Sequence, residues 1–257
     1  MAFITLTLEN IENEHICCAI SDVKSETCVS SKKAWLAARI PEGLVFTKLD
    51  QRGKVFIEYI PAEKAWCPIE APDYMFINCF WVSGQYKGQG YANQLLELCI
   101  NDAKAKGKRG LCVLSSRKKM TFLSDPDYLK HKGFRIADTA APYFDLLYLP
   151  FDETTPIPHF KACAKNGRID EPGMVLYYTN QCPHTDKYVP LIQGIAAAQG
   201  FDLTIHKIET VEAAQAAPSP FTTYSFFSDG CFVTNEIFSE KKFGKYLEAR
   251  GAAQAAV

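Results

Sequence analysis

Residues 74–90 read Tyr-Met-Phe-Ile-Asn-Cys-Phe-Trp-Val-Ser-Gly-Gln-Tyr-Lys-Gly-Gln-Gly, and no other stretch limits the fold of this chain as strongly. The almost unbroken apolar run from Tyr74 to Val82 has the length and the aromatic and β-branched content of a strand buried on both faces. Ser83 and Gly84 break it. Gln85 to Gly90 then form a short glycine-bearing turn into a segment of helical spacing, where Ala92, Leu95, Leu96, Cys99 and Ala103 share one face. Lys104 and Lys106 lie in its last turn and Gly107 ends it.

A buried strand, a glycine-rich turn and a helix N-terminus together make an anion site. Gly88 and Gly90 allow positive φ and close approach of a ligand, so successive N–H groups can point at a phosphate that the helix dipole also favours. A P-loop would end in Gly-Lys-Ser/Thr, and a dinucleotide fingerprint needs three glycines as G-x-G-x-x-G; neither is present. The absence of the first sets a nucleotide phosphotransferase aside.

With 257 residues there is room for one large domain or two small ones. The 28 basic and 29 acidic residues leave a net charge of −1, which argues against a general nucleic-acid or anionic-membrane binder. No apolar run reaches the ~18 residues of a membrane span, and Met1-Ala-Phe-Ile-Thr lacks a basic region followed by an apolar one, so a cytoplasmic location is expected. The 10 cysteines show no Cys-x-x-Cys pair, and no metal site is expected from them. Cys79, Cys99 and Cys112 sit in apolar runs, where a thiol behaves as a small hydrophobe.

Along the chain, 3–8 reads as a strand, Asn13 to Ile20 as a short helix and Ser30 to Ile40 as a helix stopped by Pro41. Leu44 to Leu49 and Lys54 to Ile60 are strands around Asp50-Gln-Arg-Gly53, and Pro61 to Pro72 is irregular. After the central unit come a strand at Leu111 to Leu114, a helical stretch from Phe122 to Lys132, and strands at Phe134 to Ala137 and Tyr143 to Leu149. Composition changes at Pro150, and residues 153–172 read as a linker. Beyond it lie a strand at Met174 to Thr179, a helix from Cys182-Pro-His-Thr185 to about Gln199, a strand at Asp202 to Ile208 and a helix at Val211 to Ala217. A hairpin around Asp229-Gly230 and a helix near Ser239 to Ala249 complete this part, leaving 250–257 as a tail.

The run Gln85-x-x-Gly88-x-Gly90 resembles the pyrophosphate-binding motif of the GNAT superfamily of N-acetyltransferases, Gln/Arg-x-x-Gly-x-Gly/Ala. The element order of residues 1–152 resembles that family, and Gly133-Phe134 after a short helix is a second, weaker mark. The later β-α-β-α-β-β-α order resembles the thioredoxin fold, with Cys182 at a helix start, Pro190 where that family has a kinking proline and Pro220 where it keeps a cis-proline. Thr185 replaces its second cysteine, so dithiol cycling is excluded. The combination looks like the YoaP-type acetyltransferases. The resemblance implies an α/β architecture with a mixed sheet: a GNAT acyl-CoA N-acyltransferase domain at 1–152, then a small thioredoxin-like α/β domain at 173–249.

What the resemblance implies chemically is an acetyl-CoA-dependent N-acetyltransferase acting on an unidentified small amine by direct attack in a ternary complex. Phe80, Trp81 and Val82 on a splayed strand would flank pantetheine and thioester. Gln85, Tyr86, Lys87, Gly88, Gln89 and Gly90, with Tyr91 and Ala92, would hold the pyrophosphate. The family's usual acid is a tyrosine four residues before the Gly of Gly-Phe; that position is Leu129, and Tyr128, one residue earlier, would point about 100° away on a regular helix. Tyr128 as acid or as packing residue is left open. Glu58 is favoured as base over Glu63, Glu70 and Asp73, and Trp66, Tyr74, Tyr59 and Trp81 are candidates for an acceptor pocket or for core. Cys182 is a candidate reactive thiol, its pKa lowered by a helix N-terminus and His184; a docking or oligomerisation module is the alternative. A non-catalytic acyl-CoA sensor and a thiol-handling protein also remain open, as does the oligomeric state, a homodimer among the options.

Overall fold

Tyr74–Val82 is a strand over its whole length, and the larger sheet is built outward from it. The computed structural model describes residues 2–19 and 26–254. Its first sheet contains β1 (Phe3–Thr5), β2 (Val45–Leu49), β3 (Val55–Pro61), β5 (Tyr74–Val82), β6 (Gly110–Ser116), β7 (Arg135–Ala140) and β8 (Phe144–Pro150). The order is β1-β2-β3-β5-β6-β8-β7. Between them lie α1 (Glu26–Arg39), α2 (Tyr91–Ala105) and α3 (Pro126–His131), and a small ribbon pairs β4 (Ile69–Glu70) with β9 (His159–Phe160). Only β5 and β6 are parallel in the large sheet, and α2 is the crossover that such a pair requires.

The two faces of the sheet bury different sets. Ile57, Tyr59, Met75 and Ile77 pack under α2, which contributes Tyr91, Leu95, Leu96, Cys99 and Ala103. Phe46, Phe56, Phe76 and Phe144 pack on the other side with Trp35 and Leu36 of α1. Burial of β5 on both faces therefore holds for Tyr74 to Ile77 and fails from Asn78 onward, where the strand opens.

A second sheet holds β10 (Met174–Tyr178), β11 (Leu203–Lys207), β12 (Tyr224–Ser228) and β13 (Cys231–Thr234) in the order β11-β10-β12-β13, with β10 and β11 parallel. Its helices are α4 (Pro183–Ala198), α5 (Val211–Gln215) and α6 (Glu240–Gln254), so the last helix runs past Ala249 into the expected tail. Leu176, Val189, Ile192, Phe226 and Phe243 form its core. This unit lies on the α1 side of the large sheet: Ile208, Ala214 and Ala217 join that core, and α4 rests against α1. Residues 153–172 run between the units, with Tyr74 donating to the Pro156 carbonyl at 2.8 Å and Lys165 bound to Asp138 at 2.9 Å.

Besides the last helix, further expected elements differ, and the strand expected over residues 3–8 is limited to Phe3–Thr5. Residues 13–19 form turns and a 3₁₀ turn at Cys17–Ala19 rather than a helix, and Ile20 lies outside the described residues. Thr7 and Asn10, just before it, bind each other's backbone N–H through their side chains, an alternative to helical pairing. Helix α1 begins at Glu26, not Ser30. The stretch Phe122 to Lys132 is helical only from Pro126, whose missing N–H suits a first-turn position and whose predecessor Asp125 caps Asp127 and Tyr128.

Candidate functional site

The ladder between β5 and β6 stops early. Tyr74 to Ile77 pair with Gly110 to Val113, after which β6 continues to pair with β8 alone and β5 with β3 alone. The parting begins at a β-bulge. Glu58 faces Cys79 while its neighbour Tyr59 faces Ile77, which leaves Asn78 as the extra residue. The bulge re-aims the strand, so that Cys79 follows Phe76 on the α1 side whereas Phe80 and Val82 follow Ile77 on the α2 side.

After Val82 the chain makes a 3₁₀ turn at Gly84–Tyr86 and enters α2 through Gly88 (φ 76°) and Gly90 (φ 80°), the helix N-cap. A Cβ on Gly88 would meet nothing within 4 Å, and one on Gly90 only the Gln94 side chain at 3.8 Å. Backbone conformation, not crowding, therefore calls for glycine, and the space before the loop is open. The loop is anchored from below: the Tyr86 hydroxyl donates to the Arg52 carbonyl at 3.2 Å, and its ring lies so close over Gly53 that a Cβ there would sit 2.3 Å from Cε2. Gln89 Nε2 donates to the Gln85 carbonyl at 2.6 Å. The Lys87 side chain is exposed, whereas the Tyr91 ring is buried against Phe3 and Tyr86, so Tyr91 offers the loop its backbone only. The residues grouped by the sequence motif are thus contiguous in space, with a glycine cradle at the positive end of a helix.

A cavity of about 260 Å³ lies beside the opened strand. One wall is Asn78 to Trp81 of β5 and another is Leu114 with Thr121 to Ser124. The roof comes from the second unit: Gln181, Cys182 and His184 at the start of α4, and Pro220 to Thr223 before β12. Of the aromatic residues considered for an acceptor pocket, Trp66 and Trp81 line this space. Tyr59 and Tyr74 do not; both are buried in the cores, with Tyr74 tied to Pro156.

Glu58 is not in the lining. It is 1% exposed, accepts from Lys32 Nζ at 2.6 Å and from Asn78 Nδ2 at 3.1 Å, and reaches the cavity only through Asn78. Burial acts to lower the Lys32 pKa, but the charge and hydrogen bond of Glu58 oppose it and the value is raised, so the Lys32 ammonium keeps its charge. Of the other carboxylates considered, Asp73 is absent from the lining and two are engaged elsewhere. Glu63 holds Lys108 at 2.8 Å and the Asp73 N–H at 2.9 Å, and Glu70 lies 3.0 Å from His159. Among the described residues no carboxylate lines the cavity.

Leu129, at the family's tyrosine position, is 1% exposed in the core beneath α2. Tyr128 is half-buried at the opened strand, its ring 5.7 Å from that of Phe80 and its hydroxyl donating to Asn93 Oδ1 of α2 at 3.2 Å. Burial pushes its hydroxyl up to about 12.

Cys182 departs from expectation. It is the N-cap of α4, yet enclosure pushes its thiol up to about 11, against a smaller lowering by the His184 backbone N–H. Cys18 and Cys79 also line the cavity and are raised by burial, Cys79 to about 12. Thr185, in place of a second cysteine, is fully buried and donates to the Thr179 and Cys182 carbonyls at 2.8 and 2.7 Å. The cis peptide found among the described residues precedes Pro142, so the bond before Pro220 is trans, contrary to the expected cis-proline. Sequence reasoning missed Lys32 and Asn78. For Asn78 a signal existed, since it is the one strongly polar residue inside the apolar run; Lys32 carries none.

The acetyltransferase (GNAT) family model matches residues 8–122 and the YoaP-like model matches residues 202–245. A curated relative, the "Uncharacterized N-acetyltransferase YoaP" of Bacillus subtilis (strain 168), is 46% identical over 247 residues, covering 96% of this chain and 98% of its own. Among solved structures, an N-acetyltransferase from Staphylococcus aureus Mu50 is 18% identical, covers 59% of this chain and 100% of its own and has a TM-score of 0.40. A GNAT family N-acetyltransferase (YhbS) from Escherichia coli, in complex with CoA, is 10% identical over 62% of this chain and 89% of its own, with a TM-score of 0.40.

Proposed function

We propose, for a chain that belongs to the YoaP-like N-acetyltransferases of the GNAT family, direct transfer of an acetyl group from acetyl-CoA to the amine of a small acceptor within one ternary complex. The observation that carries this reading is the conjunction of the opened strand with the glycine cradle: Asn78 to Val82 lack a β6 partner, and Gly88 and Gly90 lead at positive φ into α2. In this reading the backbone of Gln85 to Ala92 and the Lys87 ammonium bind the pyrophosphate. The free edge of β5 at Phe80, Trp81 and Val82 holds pantetheine, and an N–H of that edge polarises the thioester carbonyl. The N–C bond forms as the C–S bond breaks, and the proton lost by the amine balances the thiolate that leaves.

Tyr128 is the proposed acid. Its hydroxyl, kept protonated by burial, donates to Asn93 of α2, and its ring packs against Phe80, where the sulfur would depart. Glu58 takes a different role from direct base: held by Lys32, it fixes Asn78 at the bulge, and the amine's proton leaves through solvent. For the chain as a whole we propose a GNAT domain at 1–152, a linker at 153–172 and a thioredoxin-like unit that starts at 173 and, because α6 continues to Gln254, extends beyond the expected boundary at 249 between unit and tail. The β11-β10-β12-β13 order supports the third assignment, and Thr185 supports a unit without dithiol chemistry.

Titration calorimetry with acetyl-CoA tests the cofactor site. Micromolar binding by the parent, about −8 kcal/mol, is expected to vanish in Gly90→Val, because a β-branched residue is excluded from φ near 80°. No binding by the parent would sink the reading. Binding without turnover of any amine would favour an acyl-CoA sensor instead.

A further inference from the structure

The cavity beside β5 is made by both units, and its chemistry selects an acceptor. From the first unit come aromatic walls, Phe56, Trp66, Phe76, Phe80 and Trp81 among them. The second unit supplies the roof, Gln181, Cys182 and His184 with the segment from Pro220. That roof is fastened directly over the walls: the Cys67 thiol donates to the Pro220 carbonyl at 3.3 Å and the Thr222 hydroxyl donates to the Trp66 carbonyl. Without the second unit the space would be an open trough along the sheet.

Charge in this space is one-sided. Its lining includes the basic residues Lys54 and His184 and, among the described residues, no carboxylate. The carboxylate just behind the wall, Glu58, is already committed to Lys32 at 2.6 Å. An acceptor with several ammonium groups would have to bury each of them without a counter-charge, a desolvation cost that nothing in the lining offsets. A single amine on an apolar body faces a smaller penalty and turns it to use. Apolar surroundings favour the neutral form of an amine, which is the form that attacks a thioester. The enclosure thereby supplies some of what a carboxylate base would otherwise provide.

We propose that the cavity shared by the two units is the acceptor site and that it takes a compact aromatic or aliphatic amine with no second positive charge. This rests on the acetyltransferase reading above, since it names the substrate class of the same site. The second unit is then the part of the enzyme that closes over the acceptor and chooses it.

The test uses the full chain with 2-phenylethylamine and spermidine as probes. Trp66 and Trp81 are two of its three tryptophans and both line the cavity, so intrinsic fluorescence reports occupancy without any turnover. Saturable binding of 2-phenylethylamine at least about tenfold tighter than spermidine is expected. With saturating acetyl-CoA, product measured by mass spectrometry should show kcat/KM about a hundredfold higher for 2-phenylethylamine; a thiol reagent would be confounded by 10 cysteines.

Cys182→Phe and Gln181→Phe fill the roof. Whichever of them melts like the parent should raise the 2-phenylethylamine Kd and KM about tenfold while holding the acetyl-CoA Kd within about twofold. Preference for spermidine would overturn the proposal, as would folded fillers that leave KM unchanged or weaken acetyl-CoA equally. Failure of the parent to bind acetyl-CoA would instead count against the acetyltransferase reading, and the fluorescence titration would still decide what the cavity accepts.

Discussion

Exchanging Glu58 for glutamine keeps the side chain's shape and an oxygen for Asn78, and removes the charge that holds Lys32. Both partners are almost free of solvent, at 2% and 1% exposure, so the ammonium is stranded between α1 and the sheet. Breaking a buried pair in this way costs about 3–5 kcal/mol. At about 2–4 °C per kcal/mol for a chain of this size, Glu58→Gln should melt roughly 6–20 °C below the parent at pH 7, read by circular dichroism. Its pH dependence should also invert. In the parent, burial lowers the Lys32 pKa, Glu58 raises it further, and the folded value lies above the unfolded one. The Lys32 ionisation therefore contributes its full stability at pH values below ~10.4 where its partner is charged, and loses it as pH rises through the folded value. In the variant, burial, the largest influence on Lys32, is opposed only by the thiols of Cys18 and Cys79, and the folded value falls below the unfolded one, so the penalty is relieved as pH climbs toward ~10.4. The two melting curves should converge between pH 7 and pH 10. The double variant Lys32→Met/Glu58→Gln removes the stranded charge; it should recover to within about 1–2 kcal/mol of the parent and turn over within roughly tenfold of it. A double variant that is stable yet slower by about a hundredfold or more would refute this account, because Glu58 would then be carrying the amine's proton itself.

Tyr128→Phe removes the proposed acid without disturbing Leu129 beneath it, and should lower kcat about a hundredfold at unchanged acetyl-CoA affinity, measured by steady-state kinetics and calorimetry. Because burial holds that hydroxyl near 12, the parent's kcat should show no alkaline limb from Tyr128 below pH 10; such a limb, absent in the variant, would contradict the environment described. Iodoacetamide at pH 7.5, followed by peptide mapping, should label the exposed Cys163 and Cys231 well before Cys182, whose thiol is raised to about 11.

What the sequence made legible is local. The strand at Tyr74–Val82, the positive-φ glycines and the buried face Leu95, Leu96, Cys99 and Ala103 each follow from signals within a few residues. The helical stretch around Pro126 was readable too, had Asp125-Pro126 been taken as cap and first turn instead of as an interruption inside a longer helix. The site's side chains are not local. Lys32 and Glu58 meet across 26 positions, and the bond that seats the roof joins Thr222 to Trp66 across 156. Nothing in a window of hydrophobic periodicity carries such a pairing. The splay itself had only a faint trace, Asn78 in an apolar run, and its consequence depends on where β6 turns toward β8.

The thiol at Cys182 shows how magnitudes decide between two readings of one position. A helix N-terminus contributes about 0.3–1 kcal/mol, and at most about 2 in partly buried settings, which is near or below one and a half pKa units at 1.36 kcal/mol each. Desolvation acts in the opposite direction and reaches about 3–5 units for fully buried groups, a limit that Cys182, partly buried in the cavity roof, approaches only in part. Sequence supplies the first effect, since Cys182 precedes Pro183 at a helix start; only the packing of α4 against α1 and the cavity wall supplies the second. The second is larger, and the net direction is upward. A thiol so raised, with Thr185 hydrogen-bonded where a resolving cysteine would stand, is poorly suited to attack but well suited to be an apolar surface. That is the property an acceptor cavity needs from its roof, and it makes the second unit's contribution one of shape and dielectric instead of redox chemistry.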